Sequence, residues 1–506
     1  MKLSFKALSL ILALLMLIAC FVACGSEKQT EAESETQSSQ NETETETQKL
    51  DAFGRVWIED SVPTDVNYEN APNNTVTFFV REDDFYRTEI DVDEISDDTY
   101  RDAIYFRNKT VEDRLGVNIN HVAQISGTTE AREAWFQNLR NAVNTKTGDY
   151  DCAAIYASQG SPLALEGCFY NILFMEDSID LDKPWWNQDM NSELTIFDTL
   201  FFLGGDMMLT QTQMAAIVVY NKDIYQENYP SADIYQKVLD YKWTIDELYD
   251  LSSQVWTDAN ASGIVDDGDT VGFVGWNNGG QMDTWIAAMD IRIITKNSDG
   301  MPDLSFYSEH TVSAFEKLQR LHMDNPGGLN GATTNTNFPK GTVLFQTRLL
   351  RDCEAYRDME DAYGVLPLPM YDTEQGVYAT YPHASYSLLT VLSTLSEDRK
   401  DMIGQTIELM AAEAYRQVVP KYYEVCLKSK YSADVMDAHM YDLILQSIRF
   451  DMGSVYGSKS IGGVNTLFRK LDGDLTQTYE ASKTKYETAL ETLIDKLDEL
   501  SFMLGA

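Results

Sequence analysis

A ladder of oxygen-bearing side chains surrounds a central glycine in residues 258–269. Counted from Asp258, the spacing is typical of calcium loops, in which Gly263 at position six makes the sharp turn and position seven contributes a backbone carbonyl. The candidate ligands of a structural Ca²⁺ are Asp258, Asn260, Ser262, Ile264, Asp266 and Asp269. Position twelve holds aspartate where a bidentate glutamate is usual. A solvated Asx/Gly turn without an ion explains the same residues, so both interpretations stay open.

Tryptophans next to amide side chains form a second group that could do chemistry. A sugar ring has an apolar face and a hydroxyl rim, so a sugar site combines aromatic rings with Asp, Asn, Gln or Arg side chains. Trp276 ends a predicted strand beside Asn277 and Asn278 and is the better candidate for contact with a ligand. Trp185 and Trp186 are expected to brace a loop between two lobes.

Motifs of the common enzyme classes do not occur in the sequence. There is no GxxxxGK loop, no GxGxxG after a strand, no HExxH and no GxSxG, and the five histidines are scattered. Carboxylates are abundant, and a glycosidase acid pair is recognised only from its geometry. The sequence therefore predicts a protein that is not an enzyme, with an exported carbohydrate-active hydrolase as the alternative.

Charge and length restrict the class of protein further. The formal net charge is -41 and no Lys/Arg-rich block occurs after the leader. Because binding to nucleic acid depends on cationic neutralisation of phosphates, nucleic acid is excluded as a partner. At 506 residues the chain is too long for one ordinary core, so two lobes are expected.

The first residues have the pattern of a lipoprotein signal peptide, residues 1–24. Lys2 and Lys6 precede an apolar run, residues 8–22, that is too short for a spanning helix. The run ends in LIACFVACGS. Cys24, which a polar segment follows, is the predicted lipidation site, and Cys20 is the alternative. The sequence thus predicts export and a lipid anchor in the membrane, with the protein on the extracellular face of the cell.

Residues 25–52 contain almost no apolar side chains and are expected to form a disordered acidic linker, because they cannot bury enough surface to fold. Four cysteines follow in the body: Cys152, Cys168, Cys353 and Cys426. None has the spacing of a metal site. A Cys152–Cys168 disulfide and buried free thiols are both compatible with the sequence.

Strand and helix patterns alternate along the body. Residues 74–83 and 116–122 have the character of strands, and a helical apolar pattern follows at residues 133–143. The alternation restarts with an apolar strand at residues 214–225. Thr244 and Glu247 then form a capping box that opens a helix. Such alternation predicts mostly parallel sheets covered by helices, in two α/β lobes.

A series of segments resembles the extracellular solute-binding lipoproteins of carbohydrate ABC transporters (bacterial extracellular solute-binding protein family 1). They include DAIYFRNKTVEDRLGVNI, GDYDCAAIYASQGSPLALEGCFYNI, IDLDKPWWN, GGDMMLT, VVYNKDIY, FPKGTVLFQT and YGVLPLPMYD. The resemblance covers nearly all of residues 72–500. It implies a two-lobed α/β fold of the periplasmic-binding-protein type II class, in which hinge strands join the lobes. Lobe 1 would comprise residues 53–213 and 366–430, and lobe 2 residues 214–365 and 431–506.

The resemblance also implies a function and a site. A sugar or oligosaccharide would be enclosed by lobe closure and delivered to a permease partner, although a sensor or peptide-binding lipoprotein on the same fold is an alternative. The implied ligand-binding residues are Asp83, Tyr156, Gln159, Gln213, Trp276, Asp283, Trp285, Arg348 and Arg351. Tyr156 and Trp276 would stack on the ring. The arginines of TRLLRD stand where an aromatic segment is common in such proteins, which admits charged or acidic sugars as ligands.

Overall fold

Two β-sheets flanked by helices form the body of the protein. The computed structural model describes residues 50–51, 55–276, 279–329, 338–356, 358–423, 425 and 435–504. The predicted signal peptide with Cys20 and Cys24, nearly all of the predicted linker, and Cys426 lie outside the described residues. Among the described residues, no helix is both long and apolar enough to cross a membrane.

The first sheet has the strand order β12-β3-β1-β2. Its strands are β1 (Thr75–Arg81), β2 (Asn118–Gln124), β3 (Cys152–Tyr156) and β12 (Ser387–Val391). β1 runs parallel to β2 and β3, whereas β12 pairs antiparallel with β3. The predicted strands at residues 74–83 and 116–122 thus correspond to β1 and β2.

The second sheet has the order β11-β4-β10-β6-β5, and β9 pairs with β6. Its strands are β4 (Ala216–Asn221), β5 (Trp256–Thr257), β6 (Thr270–Val274), β9 (Gly328–Leu329), β10 (Val343–Leu349) and β11 (Tyr363–Pro367). β10 is parallel to β6, but β4 is antiparallel to β10 and β11. The two-lobed α/β class is confirmed, and this sheet is mixed rather than mostly parallel. A separate hairpin pairs β7 (Ile294–Lys296) with β8 (Pro302–Leu304).

The helices cover both sheets. Those before the first crossing between sheets are Asp84–Arg87, Thr99–Leu115, Thr129–Thr145, Ser161–Leu165, Gln188–Leu194 and Thr210–Gln213. Those between β4 and β12 are Lys222–Asn228, Ile234–Leu239, Ile245–Ser252, Thr284–Ala288 and Glu309–His322. The last group is Glu397–Glu413, Val435–Ser447, Met452–Tyr456 and Leu475–Leu504. The capping box forms as predicted, since the Thr244 side chain accepts a hydrogen bond from the Glu247 amide (3.3 Å).

Three segments pass side by side between the sheets. The His383 amide donates to the Met214 carbonyl (2.9 Å), and the Thr380 amide donates to the Ser447 carbonyl (2.9 Å). These contacts bring the chain before β4, the chain before β12 and the chain after helix Val435–Ser447 together as a hinge. The lobe boundaries drawn from the sequence stay a prediction. The one at residues 365/366 falls inside β11.

Trp185 and Trp186 are buried beside this hinge, where the Trp186 indole donates to the carboxylate of Glu408 (2.9 Å). Ser61 also donates to Glu408 (3.0 Å). Burial nevertheless outweighs these donors and raises the pKa of Glu408 to about 7. The charged form of Glu408 is therefore disfavoured in the folded protein.

We expect the free energy of unfolding to fall as pH rises from about 4.5 to about 7, because folding in this range must take up the proton that the buried Glu408 holds and the unfolded chain does not. Glu408→Gln keeps the hydrogen-bond acceptor and should raise the free energy of unfolding at pH 8 by about 2 kcal/mol, with little change at pH 4.5. Urea unfolding across this pH range measures the effect. The exposed Glu397→Gln is the control, and an equal response of both variants would contradict the prediction.

Cys152, Cys168 and Cys353 are free and buried. Of the two alternatives that the sequence left open for Cys152 and Cys168, the structure therefore shows free thiols. Burial raises the pKa of Cys168 to about 11, which keeps the thiol protonated and unreactive at neutral pH.

Candidate functional site

A cavity of about 480 Å³ opens where the segment after β1 approaches the segment after β10. The guanidinium carbon of Arg351 lies 4.2 Å from the centroid of the Phe85 ring, so this contact joins the two sides. Tyr100 and Tyr422 add aromatic surface, and Gln213 comes from the first hinge segment. Two of the predicted ligand-binding residues, Gln213 and Arg351, thus line one cavity.

Gln213 closes the helix Thr210–Gln213 and is only 4% exposed. Among the described residues, nothing hydrogen-bonds to its side-chain amide, although the residue lines the cavity. Its amide atoms are not among the buried side-chain atoms that lack a partner, so the amide faces the cavity and the solvent in it. A polar solute in the cavity would satisfy both its donor and its acceptor.

Replacing Gln213 by leucine should therefore weaken ligand binding and leave the stability of the empty protein nearly unchanged. We expect the free energy of unfolding to change by less than about 1 kcal/mol, because the amide faces the solvent of the cavity and makes no hydrogen bond within the described residues. Affinity for the solute should fall about tenfold. Thermal unfolding and titration calorimetry measure the two effects, and a loss of both stability and affinity would contradict this role.

Carboxylates surround Arg351 on the cavity wall. The Arg351 Nε lies 3.8 Å from an oxygen of Asp352, and Glu354 and Asp358 line the same cavity. Three carboxylates therefore oppose one guanidinium. The sequence admitted acidic sugars because of its arginines, but this balance of charge disfavours an anionic ligand.

Tyr156 has no open ring face. Its guanidinium neighbours lie 4.1 Å (Arg81) and 5.1 Å (Arg132) from the ring centroid, and its hydroxyl donates to the Ser126 carbonyl (3.1 Å). The ring is 7% exposed. In this conformation other side chains cover the ring, and the predicted stacking of Tyr156 on a sugar stays a prediction. Gln159 lies half-buried on the turn that follows.

Asp83 and Arg81 support the cavity rather than line it. Asp83 is exposed and caps the helix that carries Phe85, whose amide it accepts (3.0 Å). Arg81 is fully buried, stacks on Tyr86 (3.4 Å) and donates to the Ser385 carbonyl (2.7 Å).

Sequence reasoning did not identify several side chains of this region. They are Phe85, Tyr86, Tyr100, His383, Ser385 and Tyr422. Phe85 and Tyr86 follow β1 directly and share the loop position of Asp83, so the aromatic pair in DDFY was an available signal.

Trp276 and Arg348 lie close together where the parallel strands β6 and β10 end. Arg348 is 1% exposed on β10, and its guanidinium carbon lies 5.2 Å from the Trp276 ring centroid. Trp276 is half-buried just after β6, which runs parallel to β10. The structure therefore brings this predicted pair together, with Arg348 packed beneath the ring.

Solved structures share the fold of this chain, although no protein-family model and no curated protein matches it. An ABC transporter solute-binding protein from Thermotoga lettingae, bound with α-D-tagatose, has a TM-score of 0.51 at 16% identity, covering 83% of this chain and 100% of its own. UspC from M. tuberculosis has a TM-score of 0.53 at 16% identity, covering 82% and 100%. UgpB from M. tuberculosis, in complex with glycerophosphocholine, has a TM-score of 0.52 at 13% identity, covering 83% of this chain and 99% of its own.

The chain has the substrate-binding-protein fold. At this level of identity the likeness establishes the architecture and leaves the ligand to be argued from this chain's own residues. It confirms the fold that the sequence resemblance implied.

Two of the predicted ligand-binding residues, Asp283 and Trp285, contact other side chains of the second lobe in the substrate-binding-protein fold. Asp283 is buried and forms an ion pair with Arg469, whose Nε donates to it (2.8 Å), and Asn465 donates as well (3.2 Å). Burial raises the pKa of Asp283, and the charge of Arg469 offsets part of that effect. Trp285 is 2% exposed and packs edge-on against His322 (5.6 Å). In this conformation both side chains have internal partners, and their predicted ligand roles stay predictions.

The calcium-like loop is closed by its own hydrogen bonds. Asp269 accepts from the Trp256 indole (2.9 Å), the Ala259 amide (3.0 Å) and the Asp266 amide (3.1 Å). Asn260 donates to both oxygens of Asp266 (2.9 Å each).

The remaining candidate ligands are occupied in the same way. Asp258 accepts from the Ser262 and Gly263 amides (3.0 and 2.8 Å), and the Ser262 hydroxyl donates to the Ile264 carbonyl (2.9 Å). Among the described residues, the one group with three His, Cys, Asp or Glu ligand atoms within 4.8 Å is Asp91, Asp93 and His121. In this conformation a hydrogen-bonded turn describes the loop, and the calcium interpretation stays a prediction.

Asp269→Ala should lower the free energy of unfolding by about 2 kcal/mol, because three donors lose a buried acceptor. The loss should be the same in calcium and in chelator. Thermal unfolding of the wild type and the variant in both buffers measures it. A calcium-dependent gain in the wild type that the variant lacks would restore the metal interpretation.

Proposed function

We propose that the protein captures a sugar or oligosaccharide between its two lobes and delivers it to an ABC transporter permease, without catalysing a reaction. The observation that carries the proposal is the cavity between the lobes, which Gln213 lines from the first hinge segment and Arg351 lines from the segment after β10. Aromatic rings and several hydrogen-bonding groups around one space suit a ligand with apolar faces and a hydroxyl rim. The tagatose complex of the Thermotoga lettingae protein supports this class of ligand.

Capture would operate through the hinge. Phe85 follows a strand of the first sheet and Arg351 follows a strand of the second, so a solute between them contacts both lobes only when these approach. A ligand that binds the closed form better than the open form shifts the population toward closure. The closed form would then be the species that the permease recognises.

The protein is proposed to act at the extracellular face of the membrane through a lipid on Cys24. The support is the apolar leader and the cysteine that follows it. Cys24→Ala should abolish incorporation of a labelled fatty acid in cells, whereas Cys20→Ala should not. The reverse result would place the lipid on Cys20.

The experiment that tests the function is calorimetric titration of the purified full chain with a panel of mono- and oligosaccharides. Glucose, glucosamine and glucuronate serve as a neutral, a cationic and an anionic member of one scaffold. Saturable binding of a neutral or amino sugar is expected, with uronates weakest because of the carboxylates around Arg351. Release of hydrolysed product would favour the hydrolase alternative. Binding of peptides in place of every sugar would overturn the proposed ligand class.

A further inference from the structure

Two sequence blocks that the solute site does not use, DKPWWN and GGD, meet beside the hinge. The Asp206 amide donates to the Trp185 carbonyl (2.9 Å), and the Asn187 amide donates to the Gly204 carbonyl (2.9 Å). Gly205 has φ +154°, and a Cβ there would lie 2.1 Å from the Trp185 carbonyl oxygen. Only glycine therefore permits this close approach, which fixes the position of Asp206.

A second cavity, of about 210 Å³, lies at this junction. Trp185, Trp186 and Asp206 line one side, Gln211 and Thr212 line it from the first hinge segment, and Phe450 lines it from the third. Of all the residues that line it, Asp206 is the only one with an ionisable side chain. The cavity is therefore polar, with a single acidic group and no basic one.

The carboxylate of Asp206 has no hydrogen-bond donor among the described residues. Burial raises its pKa to about 7, and the charge of Arg55 opposes this only in part. Arg55 is engaged elsewhere, because its guanidinium donates to Asp51 (2.7 Å) and to the Tyr415 carbonyl (2.5 Å). Asp206 is half-buried, so water hydrates its carboxylate only in part and a cation in the cavity would compensate the charge further.

We propose that this hinge cavity binds a small monovalent cation, either an alkali-metal ion or a primary ammonium group, with Asp206 as its counter-charge. Gln211 and Thr212 carry oxygens of the kind that hard cations prefer. One carboxylate matches a single positive charge, whereas a divalent ion would remain undercompensated.

Two consequences follow from the position of the cavity. The cation competes with a proton for Asp206, so its affinity rises as pH increases through about 7. The first and third hinge segments both contribute walls, so occupancy acts on the same segments that lobe closure moves. The cation thereby links the ionic composition of the surroundings to the position of the hinge.

The test is thermal unfolding of the purified full chain at constant ionic strength in KCl, NaCl, NH₄Cl or methylammonium chloride, at pH 6 and pH 8. Tetraethylammonium chloride, whose cation is bulky, is the reference salt. The expected result is a higher unfolding midpoint with at least one small cation, larger at pH 8 than at pH 6. Comparison of KCl and NaCl with NH₄Cl and methylammonium chloride shows whether the site binds an alkali-metal ion or an ammonium group.

Asp206→Asn keeps the shape of the side chain and should lower the affinity for the cation at least tenfold. The variant of an exposed residue, Asp177→Asn, should leave this affinity unchanged. Because Glu408 titrates over the same pH range, the pH effect is taken as the difference between the wild type and Asp206→Asn. The proposal is overturned if no small cation exceeds tetraethylammonium, or if Asp206→Asn retains the full response. It is overturned equally if the wild type responds to pH alone, since Asp206 would then bind only a proton.

Discussion

Replacing Asp283 by alanine is expected to lower the free energy of unfolding by about 3 kcal/mol. The change removes one partner of a buried ion pair and leaves Arg469 and Asn465 without their shared acceptor. Breaking such a pair costs about 3–5 kcal/mol, and the lower end applies because Arg469 is partly exposed. The pair joins residues 280–283 to residues 464–469, so its loss also separates two segments of the second lobe.

Urea unfolding of Asp283→Ala measures the loss, and the exposed Asp303→Ala is the matched control. The double variant Asp283→Leu with Arg469→Met should recover much of the stability, because an apolar pair replaces the ion pair without a stranded charge. A stable Asp283→Ala protein that has lost only its sugar affinity would reinstate the ligand role that the sequence suggested.

Replacing Arg351 by alanine is expected to weaken sugar binding about 10- to 100-fold while leaving stability nearly unchanged. The guanidinium contacts Phe85 across the lobes and lines the cavity, so it is placed to donate charged hydrogen bonds to a bound solute. Hydrogen bonds to charged groups contribute about 1.5–3 kcal/mol, which corresponds to this range of affinity. Its side chain is 36% exposed and 3.8 Å from Asp352, a contact of little value to folding.

Calorimetric titration with the sugar that binds best to the wild type measures the change, and thermal unfolding checks the fold. Arg320→Ala, on helix Glu309–His322, is the control because Arg320 does not line the cavity. Arg351→Lys keeps the charge but not the planar guanidinium over Phe85, and should retain part of the affinity. Unchanged affinity in Arg351→Ala would move the solute site away from this cavity.

The fold was accessible from local patterns, since these are fixed over short stretches of chain. Thr244 and Glu247 lie three residues apart, and β1 is recognisable from its own apolar residues. The mixed character of the second sheet could not be predicted from the sequence, because the directions of β4 and β11 depend on where the hinge segments enter and leave the sheet.

The sequence predicts which loops border the candidate site, because these loops follow the ends of strands, but it does not predict the contacts of their side chains. Gln213 and Arg351 lie at one cavity, and both follow segments that define the fold. The internal partner of Asp283, Arg469, could not be predicted because it lies far away in sequence. Nothing local shows that Arg81 and Arg132 cover the ring of Tyr156. Side-chain direction and distant partners are properties of the folded chain.

The position of β12 has a consequence for how the chain folds. Its register pairs Ser387 with Tyr156 of β3, so the first sheet is completed by residues made after all strands of the second sheet. Contacts between segments so distant in sequence close late and slow folding. Until β12 arrives, β3 presents an unpaired edge, and unpaired edges recruit foreign strands. A chain that ends before Ser387 should therefore aggregate rather than yield a separate first lobe.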